Sequence, residues 1–526
     1  MNYAPHAIRL LKVTAFILPL CNLAAFGQDY KKVQKYHDPG IIKAEYFVDP
    51  VDTLKIVGEY KQFYASSQSL ELKTNYKDGL KHGLYEEYYE NGTLKAKYNY
   101  EEGKIDGPYV KYYPTGVAEV KCEYDGGNIE GEMMKYNPDN TLAAKVNFVD
   151  GKREGLMEQY YSDGSIMSSF QYQNDKRNGP VIALAQNGDT LQKGLYANDV
   201  LEDTFFVYSP NGDVATKSTF KNGLLNGKTY NYYPNGQLKE EINYKDGKED
   251  GKSFTYYSSG QVKTDANYTE GKMNGNFISY YENGKVKTDM QTLGGQKTGV
   301  YKMYREDGSL SVVGNMQNGV IHGENTGYYP GGEIKHRFNY LNGKKVGNNS
   351  EFYANGNVKE KTVFKGSEKN RKIETYFEDG KTESSKEYRE GKPFGKWEYF
   401  HSNGNPALIE NYEDGLLMGV VQSFYENGNM ESESNFYKGK RNGLTTNYFD
   451  ASGNVKKSEV PYNNKGVIYG IVKNYYENGT IESTGKQYME KKMDEWKYFD
   501  VSGKLIRTEV YEKGKLLKTI PAEEEK

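Results

Sequence analysis

Tyr88-Tyr89-Glu90-Asn91-Gly92 sets the frame of this chain, because its glycine returns at one fixed interval, the step from Gly92 to Gly116. Glycine stands again at 164, 188, 212, 236, 260, 284, 308, 332, 356, 380, 404 and 428. The one gap, at 140, holds Asn140, the next-best residue for a left-handed backbone. The register holds for fourteen steps from Gly92 to Gly428 and then loosens. Gly453 comes one position late, Gly479 a further two late, and Gly503 follows at the ordinary step. A fixed period of this length is the signature of a repeat architecture.

Two further glycines ride in the same frame, in series that begin at Gly79 and at Gly83. Each unit therefore has two glycine-marked breaks with short stretches between them. Leu94-Lys95-Ala96-Lys97-Tyr98-Asn99-Tyr100 alternates apolar and polar residues with period two, which is a half-buried strand. Tyr109-Val110-Lys111-Tyr112-Tyr113 is the second strand of a unit. Such strands end at an Asn-Gly or Asp-Gly pair, as at Asn235-Gly236 and Asp163-Gly164, which accepts positive φ and turns a hairpin. The other break, Asp78-Gly79-Leu80-Lys81-His82-Gly83, reads as a longer turn. A helical period is absent beyond Gly27. One unit carries too few large apolar side chains to offset the entropy of ordering it, so neighbours must supply burial and strand hydrogen bonds. The expected fold is all-β, an elongated, twisted antiparallel sheet of β-hairpin repeats of solenoid type.

Composition agrees. The chain has 526 residues with 51 Tyr, 21 Phe and only 2 Trp, and aliphatics are sparse. Tyr suits a half-buried pleated surface better than a thick core. Three series read as the packed ladder. Aromatics such as Tyr88, Tyr112 and Tyr232 stand four residues before the turn glycine. Aromatics such as Tyr100 and Tyr244 stand eight or nine after it, and aliphatics such as Leu94 and Leu238 stand two after it. Lys and Arg number 69 against 72 Asp and Glu, a net of −3 with both signs interspersed. That pattern argues against a nucleic-acid partner, which asks for a basic stripe.

Residues 1–27 differ from the rest. Arg9 and Lys12 precede an apolar run from Val13 to Leu20, and Ala25 and Gly27 put small residues at a cleavage site, as in a secretory signal peptide. The expected plan is a signal peptide at 1–27, a capping segment at 28–62, about 18 tandem repeats over 63–516, and a polar tail at 517–526. The protein is expected to be exported, to the periplasm, the outer envelope or the medium. Cys21 leaves a lipoprotein alternative open, although Leu20 stands where such signals place a small residue. No second apolar stretch is long enough to span a membrane. After cleavage only Cys122 remains, in the slot that Tyr98 fills one unit earlier, and it reads as a small buried filler.

Segments such as Tyr-Tyr-Glu-Asn-Gly and Tyr-Lys-Asp-Gly-Lys, and the His-Gly steps at His82-Gly83 and His322-Gly323, resemble the MORN repeat variant family over about residues 63–516. The resemblance implies an antiparallel hairpin sheet used as a scaffold or binding surface. Some proteins with these repeats carry antitoxin names, which implies as an alternative an antitoxin or immunity-type protein that sequesters a partner protein. Related MORN proteins are linked to membranes or lipids, so association with a membrane surface stays open.

Catalytic chemistry finds no constellation. His37, His82, His322, His336 and His401 are scattered, and His82 and His322 read as turn residues of one repeat position. Gly247-Lys248-Glu249-Asp250-Gly251-Lys252-Ser253 resembles a phosphate loop but has three residues between its glycines where the motif needs four. Carboxylates sit at turns and outward strand positions. The reading is non-enzymatic, with no catalytic residues, cofactor or metal site. The residue after each aromatic of the first series is often a second tyrosine. Tyr89, Tyr113, Tyr161, Tyr233, Tyr257, Tyr281, Tyr329 and Tyr353 form an exposed stripe that suits contact with a protein or surface polymer, or cross-strand packing.

Overall fold

The computed structural model describes residues 30–522. The signal peptide and Cys21 lie outside the described residues, as do the last four of the tail. The chain divides into two compact units, one running to Gly212 and one from Asp213. Within each, antiparallel strands follow one another in hairpin order, and no α-helix occurs among the described residues.

Leu80–Tyr88 and Leu94–Glu101 show how one repeat is built. Between them lies a three-residue loop, Glu90-Asn91-Gly92. Tyr89 N–H donates to the Thr93 carbonyl at 2.8 Å and Gly92 N–H to the Tyr89 carbonyl at 2.8 Å. Only Gly92 has positive φ, at 82°. Asn91 therefore acts through its side chain. Its Oδ1 accepts from Thr93 N–H at 2.9 Å, and its Nδ2 reaches the Pro114 carbonyl of the next hairpin at 3.5 Å. This is a turn followed by a left-handed residue, which suits the twist of the flanking strands. Asn140, the substitute in the gap, sits at φ 67°.

The second break departs from the expected longer turn. Lys77 pairs with Leu80, so the loop is only Asp78-Gly79, with φ of 55° and 82°. Both positive values mark a type I′ turn. Gly83 lies inside the strand, at a bulge. Lys81 faces Tyr76 and Tyr85 faces Thr74, so Leu80–Tyr88 carries extra residues on that side. On its other side it pairs regularly, with Gly83 opposite Tyr100. His82 accordingly sits in a strand beside the bulge, and so does its counterpart His322 in Val320–Tyr328, instead of in turns. The phosphate-loop mimic is this same arrangement: a turn glycine, Gly247, then a bulge glycine, Gly251.

Units also bond to one another at their turns. Gly103 N–H donates to the Lys81 carbonyl at 3.0 Å, Gly127 N–H to Ile105 at 2.9 Å and Gly247 N–H to Leu225 at 2.8 Å. In two of the units that lack this glycine, Asp175 and Asp199 take its place, at φ 68° and 72°. Each aspartate is held by an arginine of the preceding hairpin. Arg153 donates its backbone N–H and its Nε to Asp175 Oδ1 at 2.9 and 3.1 Å, and Arg177 does the same to Asp199 at 2.9 and 3.2 Å. Both guanidinium groups also lie over tyrosine rings, 4.4 Å from Tyr172 and 4.1 Å from Tyr196.

Burial corrects the expected ladder. Tyr88, Tyr100 and Leu94 are half-buried. A deeply buried column stands six residues after the turn position, where Thr74, Cys122, Val146, Ser218, Ala266, Thr362 and Ser434 are buried, and a facing column includes buried Tyr85, Thr229, Thr445 and Trp496. Large and small residues alternate across this column, as close packing requires. Cys122 faces Tyr109, and Gly485 faces Trp496, where a Cβ would come within 2.4 Å of the indole. Burial pushes the Cys122 thiol up to about 11, which keeps it protonated at neutral pH.

The 28–62 segment forms three strands, Lys31–Asp38, Ile41–Val48 and Ile56–Phe63, that pair in sequence and join Leu70–Lys77. Ala44, Tyr46 and Val48 form a buried cluster there, packed by Val33, Ile56 and Tyr60. The outer strand is largely exposed and carries Lys31, Lys32 and Lys35, charges that disfavour edge-to-edge pairing. The last strand, Lys515–Pro521, takes in the first five residues of the expected tail.

Candidate partner-binding surface

The tyrosines singled out in the sequence each open a three-residue turn, one residue beyond a strand. Within each unit of the fold they form a file along the turn edge. Each hydroxyl crosses to the following hairpin and donates to the carbonyl of its strand-end residue. Tyr89, Tyr113 and Tyr161 donate to Tyr112, Tyr136 and Leu184 at 2.8, 2.9 and 2.9 Å. Tyr233, Tyr257 and Tyr281 donate to Tyr256, Tyr280 and Tyr304, each at 2.8 Å. Tyr329 and Tyr353 donate to Phe352 and Tyr376 at 2.8 and 2.9 Å. At two positions without tyrosine another side chain reaches the equivalent carbonyl: Arg305 bonds to Tyr328, and His401 lies 2.8 Å from the Phe424 oxygen.

These rings are half-buried and their hydroxyls are engaged. A lysine six residues on stands over several of them, as Lys95 does over Tyr89 at 5.9 Å, Lys263 over Tyr257 at 5.6 Å and Lys287 over Tyr281 at 5.4 Å. The file therefore presents ring edges beneath a row of ammonium groups. It can make apolar and cation contacts, and its hydroxyls are committed to the fold.

The neighbouring face carries cross-strand ion pairs, such as Lys97 with Glu86 at 3.4 Å and Lys145 with Glu158 at 3.1 Å. Near the C-terminus, burial favours a neutral Glu509, but hydrogen bonds from Tyr511, Tyr498 and Arg507 hold its carboxyl down to about 2.

One polar cluster escaped the sequence reading. Asn325 joins its amide to the Tyr301 hydroxyl at 2.5 Å, and its Oδ1 lies 3.1 Å from His336 Nε2. The imidazole stacks on Phe338 with centroids 4.4 Å apart. Room for it comes from glycines outside the three series. A Cβ on Gly327 would lie 2.2 Å from the imidazole, and one on Gly314 would lie 2.6 Å from Asn325. Burial lowers the His336 pKa, with Lys335 and Lys345 acting the same way and Glu351 opposing. Out-of-series glycines were the signal that could have found it.

Among the described residues, no cluster of three or more His, Cys, Asp or Glu is placed to hold a metal ion. Among them too, no helix is long and apolar enough to cross a membrane.

Nine stretches match the model of the MORN repeat variant family: residues 81–102, 153–174, 225–246, 249–270, 273–292, 345–365, 395–414, 419–438 and 468–488. The first of these spans one hairpin about its three-residue turn. No curated protein matches the chain. Solved structures that match include TcdB2-TccC3, at 12% identity over 94% of this chain and 31% of that one, with a TM-score of 0.13. They also include TcdB2-TccC3-Cdc42, at 11% identity over 94% and 31%, TM-score 0.13. A Photorhabdus luminescens Tc holotoxin pore matches at 12% identity over 91% and 30%, TM-score 0.13. The chain spans about a third of the length of those chains, and at that TM-score they do not superpose as wholes.

Proposed function

Because this chain is built from repeats of the MORN repeat variant family, we propose that it is an exported, non-catalytic scaffold whose sheet binds a protein or a surface polymer. The observation that carries the proposal is the repeat frame itself. Fourteen equal steps without a slip place like residues at like positions, and periodic faces of this kind are binding surfaces in repeat proteins. Support for export comes from residues 1–27, with their basic start, short apolar run and small residues at 25 and 27. The tyrosine file is the candidate contact surface, through its ring edges and the lysines above them.

Two measurements test this reading. Residues 1–27 fused to alkaline phosphatase should give an active, exported reporter, and an inactive cytoplasmic one would refute export. Photo-crosslinkers at Glu90, Gln237 and Asn357, beside the file, should trap one recurrent envelope protein or glycan. A trapped toxin would move the function to sequestration, and no adduct at any position would refute the scaffold reading.

A further inference from the structure

The repeat is least regular between Tyr437 and Lys492, where the glycine spacing stretches beyond its ordinary step. The added residues have a structural consequence. Where other units turn on two residues, Lys456–Tyr462 and Tyr469–Tyr475 are joined through a longer loop. Asn463 N–H donates to the Val467 carbonyl at 3.0 Å, and Gly466 N–H to the Asn463 carbonyl at 2.9 Å. The two strands pair at Ser458–Asn474 and Glu459–Lys473 and again at the Tyr462–Ile468 bridge, so they keep the bulge of the other units and differ in the wider turn. A depression of about 540 Å³ opens there, lined by Tyr462, Val467, Ile468, Met489 and Lys491 among others. That volume suits one or two large side chains.

Beside it the sheet face is unusually apolar. Tyr469 and Tyr488 pair across strands, 5.9 Å apart and edge to face. Tyr469 is 57% exposed and Ile471 61%, and Met489 and Leu444 are exposed as well. Regular units place polar or charged residues where Tyr469 and Met489 stand, such as His82 and Glu102, while the position of Ile471 and Leu444 is exposed and apolar in some of them, as at Leu84 and Val300. Exposed apolar residues clustered in this way mark an interaction site.

The surrounding charge says what kind of partner fits. From Tyr437 to Lys492, Lys and Arg outnumber Asp and Glu by ten to five, in a chain whose net charge is −3. Lys440, Lys465 and Lys491 are exposed around the patch, while Lys486 pairs with Asp494 at 3.2 Å and Glu490 lies in the turn beside Lys491. The stems of Lys440 and Lys491 pack against Gly466 and Gly514, and Lys491 lines the depression. Aliphatic Ile471, Leu444 and Met489 beside the tyrosines favour protein side chains over sugar rings.

We propose that this irregular unit is the docking site for an acidic polypeptide segment whose large apolar side chain enters the Tyr462–Met489 depression while its carboxylates meet the lysine rim. The proposal rests on the scaffold reading above and places its partner.

The test uses the full chain without its signal peptide and three probes: a short synthetic peptide alternating glutamate and phenylalanine, its glutamine counterpart, and alginate. The acidic peptide should bind, and more weakly at high salt. Tyr469→Thr with Ile471→Thr should weaken it about tenfold or more. Threonine keeps the strand propensity, so circular dichroism should stay unchanged. Lys465→Glu with Lys491→Glu, which leaves the apolar patch intact, should also weaken it and flatten the salt dependence. Equal binding of the glutamine peptide, binding of alginate alone, or acidic-peptide binding indifferent to both variants would overturn the proposal. If the peptides fail while crosslinking beside the tyrosine file still traps a partner, only this placement falls.

Discussion

Tyr257→Phe isolates one rung of the tyrosine file. The substitution keeps the ring, its half-burial and the Lys263 ammonium 5.6 Å above it. It removes only the hydroxyl that donates to the Tyr280 carbonyl at 2.8 Å. A net intramolecular hydrogen bond contributes about 0.5–1.5 kcal/mol, and the orphaned carbonyl lies at a turn edge that water can reach, so about 1 kcal/mol is expected. In a repeat array the loss should be local, because each hairpin contacts only its neighbours. Hydrogen exchange at the Tyr281 amide, which donates to the Lys285 carbonyl at 2.8 Å, should quicken about fivefold. Amides two hairpins away should not change. Extending the change to Tyr233 and Tyr281 should cost about 3 kcal/mol if the rungs are independent, with deviations where neighbours couple. Replacing all three by serine should cost more, since the rings go too. Unchanged exchange in the phenylalanine variant would refute the argument that the hydroxyls tie hairpin to hairpin.

The aspartate turns give a second prediction: Arg153→Ala should lower the melting temperature, and adding Asp175→Gly should restore it, since glycine takes the left-handed conformation without a partner. Failure of the glycine to rescue would refute the clamp. Gly485→Ala should destabilise by about 1–3 kcal/mol, because its Cβ would meet Trp496 at 2.4 Å, and urea unfolding with tryptophan emission reads this directly. His336 makes stability depend on pH. Its folded pKa lies below the ordinary 6.5, so the unfolded chain binds more protons; the contribution is full above about 6.5 and is lost as pH falls through the folded value. His336→Gln should flatten that part of the melting-temperature profile, and an unaltered slope would assign it elsewhere.

What the sequence made legible was whatever recurs by residue type. Leu94–Glu101 was read to within one residue, because alternation and the bounding turns are local. Asn140 was read as a left-handed substitute for the same reason, and it sits at φ 67°. The Gly79–Gly83 break was misread because a bulge is defined by pairing on both sides of a strand, which no single unit displays. The deeply buried column was missed because its residue type changes from Thr74 to Cys122 to Val146 while only the fit to the facing strand is kept. The tyrosine file was found by period, yet its hydroxyl acceptor lies 23 residues ahead, in another hairpin. His336 broke the frame and so looked like scatter.

The central claim is that one repeat, counted from turn glycine to turn glycine, is an interchangeable module. Deleting residues 237–260 tests it most directly, because Gly236 would then be followed by Gln261, in place of the identical Gln237. The account predicts a soluble, cooperatively melting protein with an unchanged β-type circular dichroism spectrum and unaltered exchange protection away from the junction. A deletion of 249–260 alone, which removes half a module, should misfold. Global unfolding of the 237–260 deletion, or equal tolerance of both, would contradict the account.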